Sequence, residues 1–217
     1  MKEFLRQNRI FLLLYLTFLV FGGLITAMVD KGDDTLFFNA LHTGFLNDAF
    51  KWITTLAEWP VLVFTILVTI RFGYFKGAML GLNCLIVTAV TFAFKSFVFG
   101  GEARPASFFN NKVQLDFVQG VTIFHDQSFP SGHTSVAFAL FFMLSILLEN
   151  KNWSYLFFFL ALLVGISRVY LLEHFFRDVY YGSIVGVSIT LIVYVVFVHM
   201  LFRDGKEEVE ENSASEI

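Results

Sequence analysis

Near the C-terminal end of the chain, an Arg, a His and an Asp fall within the stretch Ser167-Arg168-Val169-Tyr170-Leu171-Leu172-Glu173-His174-Phe175-Phe176-Arg177-Asp178, between two long apolar runs. His174 and Asp178 are four residues apart, so a helix would set both on one face. A carboxylate beside a His fixes its tautomer and makes it a better base or nucleophile. Arg168, close by in the sequence, offers a planar fork of donors suited to a phosphate group.

Two further stretches carry residues of the same kind. Pro130-Ser131-Gly132-His133 opens an apolar run. Pro suits the first position of a helix, and Gly lets backbone approach a ligand. A helix start presents free N–H groups and the positive end of its dipole to an anion, with His133 in the first turn. Upstream, Lys95 closes another apolar run and Arg104-Pro105 follows it. Taken singly, these are an interfacial His, a snorkelling Lys and a solvated Arg. Their shared location, argued below, gives them a common meaning.

The elements that must position them are set by composition. Of 217 residues, 57% are hydrophobic and only 15% charged, against about 25% charged in soluble domains. Mean hydropathy is +0.70. A soluble core of this size cannot hide that much apolar surface, so the chain reads as an integral membrane protein. The net charge of −3 says little about partners, and no basic stripe or recognition motif points to nucleic acid. The lone Cys84 lies in an apolar run and reads as a packed thiol. Nothing in the sequence specifies an oligomeric state.

Read in order, the pattern predicts an all-α bundle of six membrane-spanning helices with an interfacial amphipathic region. A basic head (Lys2, Arg6, Arg9) precedes a span over 10–29, too long an apolar run for a signal peptide. Residues 30–58 read as one or two amphipathic helices at the membrane surface, anchored by Trp52 and Trp59. Further spans follow over 59–70, 78–99, 131–148, 153–167 and 178–201. Alternation around Val113, Leu115 and Phe117, then Gln119-Gly120, predicts a small β-hairpin in the long connection. Residues 1–202 form one membrane domain, and the acidic, polar segment 203–217 reads as a disordered cytoplasmic tail. Six spans put both termini on one side. That side carries eight Lys or Arg against seven on the other, or four once Lys95, Arg104 and Arg168 are set aside as recruited for chemistry. The positive-inside rule then places the termini in the cytoplasm.

The same count of spans brings Lys95, Arg104, His133 and the Arg168–Asp178 stretch to one outer face. Two cations beside a helix start, with a third cation and two His nearby, describe a phosphate site with a nucleophile and an acid.

In these motifs the sequence resembles the type 2 phosphatidic acid phosphatase (PAP2) superfamily of membrane lipid phosphatases. The family signature has three parts: Lys-x6-Arg-Pro, Pro-Ser-Gly-His and Ser-Arg-x5-His-x3-Asp. The second matches at Pro130–His133, and the third at Ser167, Arg168, His174 and Asp178. The first departs, because eight residues rather than six separate Lys95 from Arg104. Two extra helical residues would turn Lys95 by about 200°. The surplus is therefore expected after the helix, at Gly100-Gly101. The resemblance implies that His174 attacks phosphorus to form a phosphohistidine and that Asp178 orients it. It implies that His133 protonates the leaving oxygen and then activates water. Lys95, Arg104, Arg168, Ser131 and the Gly132 backbone would hold the phosphate oxygens, with neither cofactor nor metal. His125 and Asp126 read as loop residues at the entrance.

The implied function is hydrolysis of a lipid phosphate, with undecaprenyl diphosphate, lipid A, phosphatidylglycerol phosphate and phosphatidate all suited to such a site. Membrane lipids would surround the protein. The implied setting is a bacterial inner membrane, with the site facing the periplasm or exterior. The alternatives are a lipid phosphotransferase, a vanadium haloperoxidase, against which the apolar spans argue, and a non-catalytic membrane protein.

Overall fold

The computed structural model describes residues 2–110 and 112–215. Ten α-helices account for most of it: α1 (Lys2–Gln7), α2 (Arg9–Met28), α3 (Asp33–Ala40), α4 (Gly44–Thr54), α5 (Trp59–Arg71), α6 (Tyr74–Ala93), α7 (Pro105–Phe108), α8 (Gly132–Leu147), α9 (Trp153–Tyr170) and α10 (Phe176–Ser215). No strand occurs among the described residues, so the alternation near Val113 does not make a hairpin. The reason is local: Val118 buries against Tyr170 and Leu171, and Asp116 and Asn39 hydrogen bond across the connection. The segment thus packs onto helices instead of pairing with itself.

The centre of the bundle is α8, which packs against α6, α9 and α10. Its residues from Thr134 to Met143 are all buried. A helix that is apolar all round belongs in an interior, and here its 16 residues give about 24 Å of length. On α2, Phe11 stacks on Phe142 of α8 and meets Phe158 of α9 edge-on. Buried Asn83 of α6 donates to the Ala139 carbonyl (3.0 Å) and Thr190 Oγ1 (3.1 Å), joining α6, α8 and α10. Such amide links suit a setting without water to compete. Cys84 is buried.

Outward faces carry large apolar side chains, among them Leu16 and Phe21 on α2, Phe64 on α5, Leu85 and Phe92 on α6 and Phe159 on α9. Four helices (α2, α6 with its extension to Val98, α9, and α10 over 176–198) are long and apolar enough to cross a membrane. A fifth crossing arises if α4 with its following turn and α5, bent by 51° at Glu58, count as one broken span. α8, with 16 residues, is apolar and shorter than these four helices. The chain is therefore an all-helical integral membrane protein. The surface helix expected before Trp59 is joined to the next helix through this corner.

Two helix ends differ from the sequence pattern. α6 does not stop at a glycine turn; it widens at Phe94–Val98 into a π-helical turn closed by the Phe99 N–H on the Phe94 carbonyl (2.8 Å). A turn at Phe99–Glu102 follows, where Gly100-Gly101 was the expected site of the surplus. A π turn takes one residue more than an α turn, so part of the surplus is absorbed inside the helix. α10 is helical to Ser215, through a segment whose composition points to an unstructured tail. Glu207, Glu208, Glu210 and Glu211 are good helix formers.

Candidate active site

The end of α9 and the start of α10 are joined by a tight corner that sets His174. Arg168 occupies the last turn of α9, and its carbonyl accepts from the N–H groups of both Glu173 (3.0 Å) and His174 (3.1 Å). Leu172 takes a left-handed conformation, φ 57°, to let the chain reverse. A bulky residue there is uncommon and is held by its surroundings; Leu172 is buried. His174 is consequently not helical, and the pair with Asp178 is made across the corner, not along one helix face.

Asp178 lies in the first turn of α10, fully buried. Its Oδ2 accepts from the Ser128 hydroxyl (2.6 Å) and the Phe175 N–H (3.1 Å), and lies 3.6 Å from His174 Nδ1. That last distance is beyond a hydrogen bond, a common state for catalytic pairs before substrate tightens them. Nδ1 of His174 has no hydrogen-bond partner among the described residues. Burial, then the charges of Arg104, Lys95 and Arg168, hold the His174 imidazole well below its ordinary range. It is therefore neutral, the form a nucleophile needs.

The start of α8 is built against this corner. The Ser131 N–H donates to the Asp178 carbonyl (3.0 Å), and Ser131 Oγ caps the helix by accepting from the Thr134 N–H (3.4 Å) and hydroxyl (2.9 Å). Gly182 of α10 comes so close to Ser131 that a Cβ there would lie 2.7 Å from its carbonyl oxygen. Gly132 follows, with the Lys95 side chain about a van der Waals contact away: Cε would be 4.0 Å from a Cβ at Gly132. Lys95 Nζ donates to the carbonyl of Gln127 (2.7 Å), another left-handed residue at φ 58°. Lys95 thus points at the site despite its unusual spacing.

Arg104 is held by the stretch before the second motif. Its N–H meets the His125 carbonyl (2.9 Å), and its Nε meets the Asp126 carbonyl (2.9 Å). Those two residues contribute backbone, a role their side chains do not advertise. Arg168 Nη1 donates to the hydroxyl of Thr54 at the end of α4 (2.7 Å). The α4 segment is docked by Tyr170, whose hydroxyl donates to Asn47 Oδ1 (2.7 Å). Lys31, Glu102 and Arg177 form an ion-pair bridge (3.3 and 2.5 Å) over the corner, and Asp34 Oδ2 accepts from the Phe176 N–H. A cavity of about 330 Å³ opens between the α4–α5 corner (Lys51, Thr54, Glu58) and residues 120–124, with His133 and Arg168 in its wall.

The structure therefore brings together His174, Asp178, Lys95, Arg104, Arg168 and the Ser131-Gly132-His133 helix start. Glu173 escapes a reading by motif. Its Oε2 lies 2.6 Å from Arg104 and 3.4 Å from Arg168. A carboxylate inside an apolar stretch next to two recognised residues was the available signal. Ser128 and Thr54 gave none, being single hydroxyls in polar segments. Among the described residues no group of three or more His, Cys, Asp or Glu is placed to hold a metal ion.

An anion cradle beside a buried His–Asp pair thus lies at one end of the helix bundle, where α6 and α9 end and α8 and α10 begin. The profile of the PAP2 superfamily matches residues 76–200, more than half of the chain, and the protein belongs to that superfamily. Among curated relatives, the chain is 32% identical over 153 residues to "Lipid phosphate phosphatase 2" of Arabidopsis thaliana, covering 55% of this chain and 50% of that protein. It is 37% identical over 81 residues to "Bacitracin transport permease protein BcrC" of Bacillus licheniformis, covering 35% of this chain and 39% of that protein. It matches half or less of either relative's length. Among solved structures, Aquifex aeolicus LpxE superposes with a TM-score of 0.66 at 25% identity, covering 76% of this chain and 94% of that one. A PAP2-type phosphatidylglycerolphosphate phosphatase of Bacillus subtilis gives 0.62 at 23% identity, covering 86% and 94%, and supports the fold.

Proposed function

We propose that the protein is a membrane lipid phosphatase that hydrolyses a lipid phosphate through a phosphohistidine on His174. The observation that carries this reading is the buried His174–Asp178 pair set among Lys95, Arg104 and Arg168 beside the first turn of α8. The three cations and the α8 N-terminus supply positive charge where the transferring phosphoryl group spreads its negative charge. Neutral His174 attacks phosphorus through Nε2, its Nδ1 proton held toward Asp178. The P–O bond to the lipid breaks, and His133, protonated once the bound phosphate dianion offsets the cations around it, gives that proton to the departing oxygen in the cavity toward the α4–α5 corner. His133 then takes a proton from water, which attacks phosphorus and frees His174 and inorganic phosphate. Charge from the side chains takes the part that a metal plays elsewhere, so the reaction proceeds without one. The relatives' printed names support a phosphorylated lipid as substrate class, lipid phosphate and phosphatidylglycerol phosphate among them.

The setting follows from the same reading. α2, the α4–α5 pair, α6, α8, α9 and α10 make six crossings if the 16-residue α8 spans with its neighbours around it. The site then lies on the side opposite both termini, toward the periplasm or exterior of a bacterial inner membrane, and the tail from residue 203 is cytoplasmic. Phosphate release by purified protein from a panel of undecaprenyl diphosphate, phosphatidate, phosphatidylglycerol phosphate and lipid A tests the function. Trapping of acid-labile, base-stable phosphoprotein tests the intermediate. No release from any of the four, with no phosphoprotein, refutes the proposal. Phosphoryl transfer to an added alcohol in preference to water would make the protein a phosphotransferase.

A further inference from the structure

The carboxylate of Glu173 has the partners that a bound phosphate would need. Oε2 lies 2.6 Å from Nη1 of Arg104 and 3.4 Å from Nη2 of Arg168, and Nη1 of Arg104 also donates to the Glu173 carbonyl (3.1 Å). The side chain is 3% exposed. Carboxylate and phosphate oxygens ask the same geometry of a guanidinium fork. Without an anion, Arg104, Arg168 and Lys95 would face one another in a largely buried site, an arrangement that like-charge repulsion and burial both disfavour unless compensated. Glu173 supplies that anion from within the chain, from the residue next to the nucleophile.

Every element around the carboxylate contributes to its balance. Arg104 comes from the loop before α7, Arg168 from α9 and Lys95 from the widened end of α6; all three favour the ionised form. His133 on α8 lies near the same cations, and neutral His174 follows directly. Asp178 of α10 and Glu58 at the α4–α5 corner are the other acids within reach of these cations. Burial pushes the Glu173 carboxyl above its ordinary range while the cations pull it down, leaving it raised. A phosphate dianion beside the carboxylate would raise it further, since like charges disfavour ionisation.

We propose that Glu173 is the resident counter-ion of the cradle: ionised in the empty site, it positions Arg104 and Arg168, and it takes up a proton from solvent when a tetrahedral dianion binds between them. The proposal rests on the phosphate-site reading above. Because binding raises the affinity of the carboxylate for a proton, anion binding must weaken as pH rises.

Sulfate, a tetrahedral dianion whose own charge is constant over the range, is the probe. Its binding to full-length protein in detergent is measured by calorimetry from about pH 5 to 8, with Glu173→Gln alongside wild type. The wild-type affinity is expected to fall with rising pH, approaching tenfold per unit at its steepest, with uptake of nearly one proton seen by comparing buffers of different ionisation heat. Glu173→Gln keeps an oxygen for Arg104 but cannot be ionised. It is expected to bind with a clearly shallower pH slope than wild type, keeping only what His133 contributes, and, at the alkaline end, about tenfold more tightly than wild type. A pH slope shared by both proteins would assign the proton to a His and overturn the proposal. Weaker binding by Glu173→Gln at every pH would do the same, making the carboxylate structural only. Proton uptake in wild type is a measurement that needs no variant, and its absence also refutes the idea. Failure of sulfate to bind wild type at all would instead overturn the phosphate-site reading.

Discussion

Gly182→Ala tests how closely α8 and α10 must approach for the site to exist. A Cβ at Gly182 would lie 2.7 Å from the Ser131 carbonyl oxygen, 3.3 Å from Thr134 Cβ and 3.4 Å from the Ser131 nitrogen. Favourable heavy-atom contacts begin near about 3.5 Å, so the first turn of α8 must retreat by roughly 0.5 to 1 Å. The obstacle is backbone, not a side chain that can swing aside. The retreat lengthens the bond from the Ser131 N–H to the Asp178 carbonyl, now 3.0 Å, and carries His133 away from His174. A misplacement of about 1 Å costs on the order of 100-fold in rate, or about 2.7 kcal/mol of barrier, while overpacking costs about 1–3 kcal/mol of stability. The assay is turnover of the best lipid substrate, with thermal unfolding of the same detergent-purified sample. Gly81→Ala is the control: Gly77 and Gly81 of α6 are four residues apart, as Gly182 and Gly186 of α10 are, yet the nearest neighbours of a Cβ at Gly81 would be 3.8 Å away. Full turnover and an unchanged melting temperature in Gly182→Ala would refute the reasoning, as would equal damage in Gly81→Ala.

His174→Ala is expected to remove turnover by several orders of magnitude together with trapped phosphoprotein, measured on a lipid substrate. Lys95→Ala should cut turnover strongly, while Lys112→Ala, an exposed residue stacked over Phe108, should leave it unchanged. Equal losses in the two would remove Lys95 from the site. Ser128→Ala deletes the 2.6 Å bond to Asp178 and is expected to lower kcat about tenfold with little change in KM, because hydrogen bonds to charged groups contribute about 1.5–3 kcal/mol. Truncation after Arg203 should leave turnover within about twofold, since a polar terminal segment buries little.

The residues of the candidate site could be picked out of the sequence because their types are rare in apolar surroundings. Lys95, Arg104, His133, Arg168, His174 and Asp178 stand out against a chain that is 57% hydrophobic, and parity of the apolar runs gathers them on one side. The runs also announced long helices, since apolar segments of that length have few other folded states. Periodicity could not decide how the elements end. The π-helical turn at Phe94–Val98 depends on where Lys95 must reach, and the corner that takes His174 out of helix depends on Leu172 being held in a left-handed state by its packing. Nor could spacing tell Gly182 from Gly81, because only the approach of α8 decides which glycine has a backbone against it. The same holds for Glu173, Ser128 and Thr54. A single carboxylate or hydroxyl acquires its meaning from the charged group that folding sets beside it, across separations of up to 114 residues.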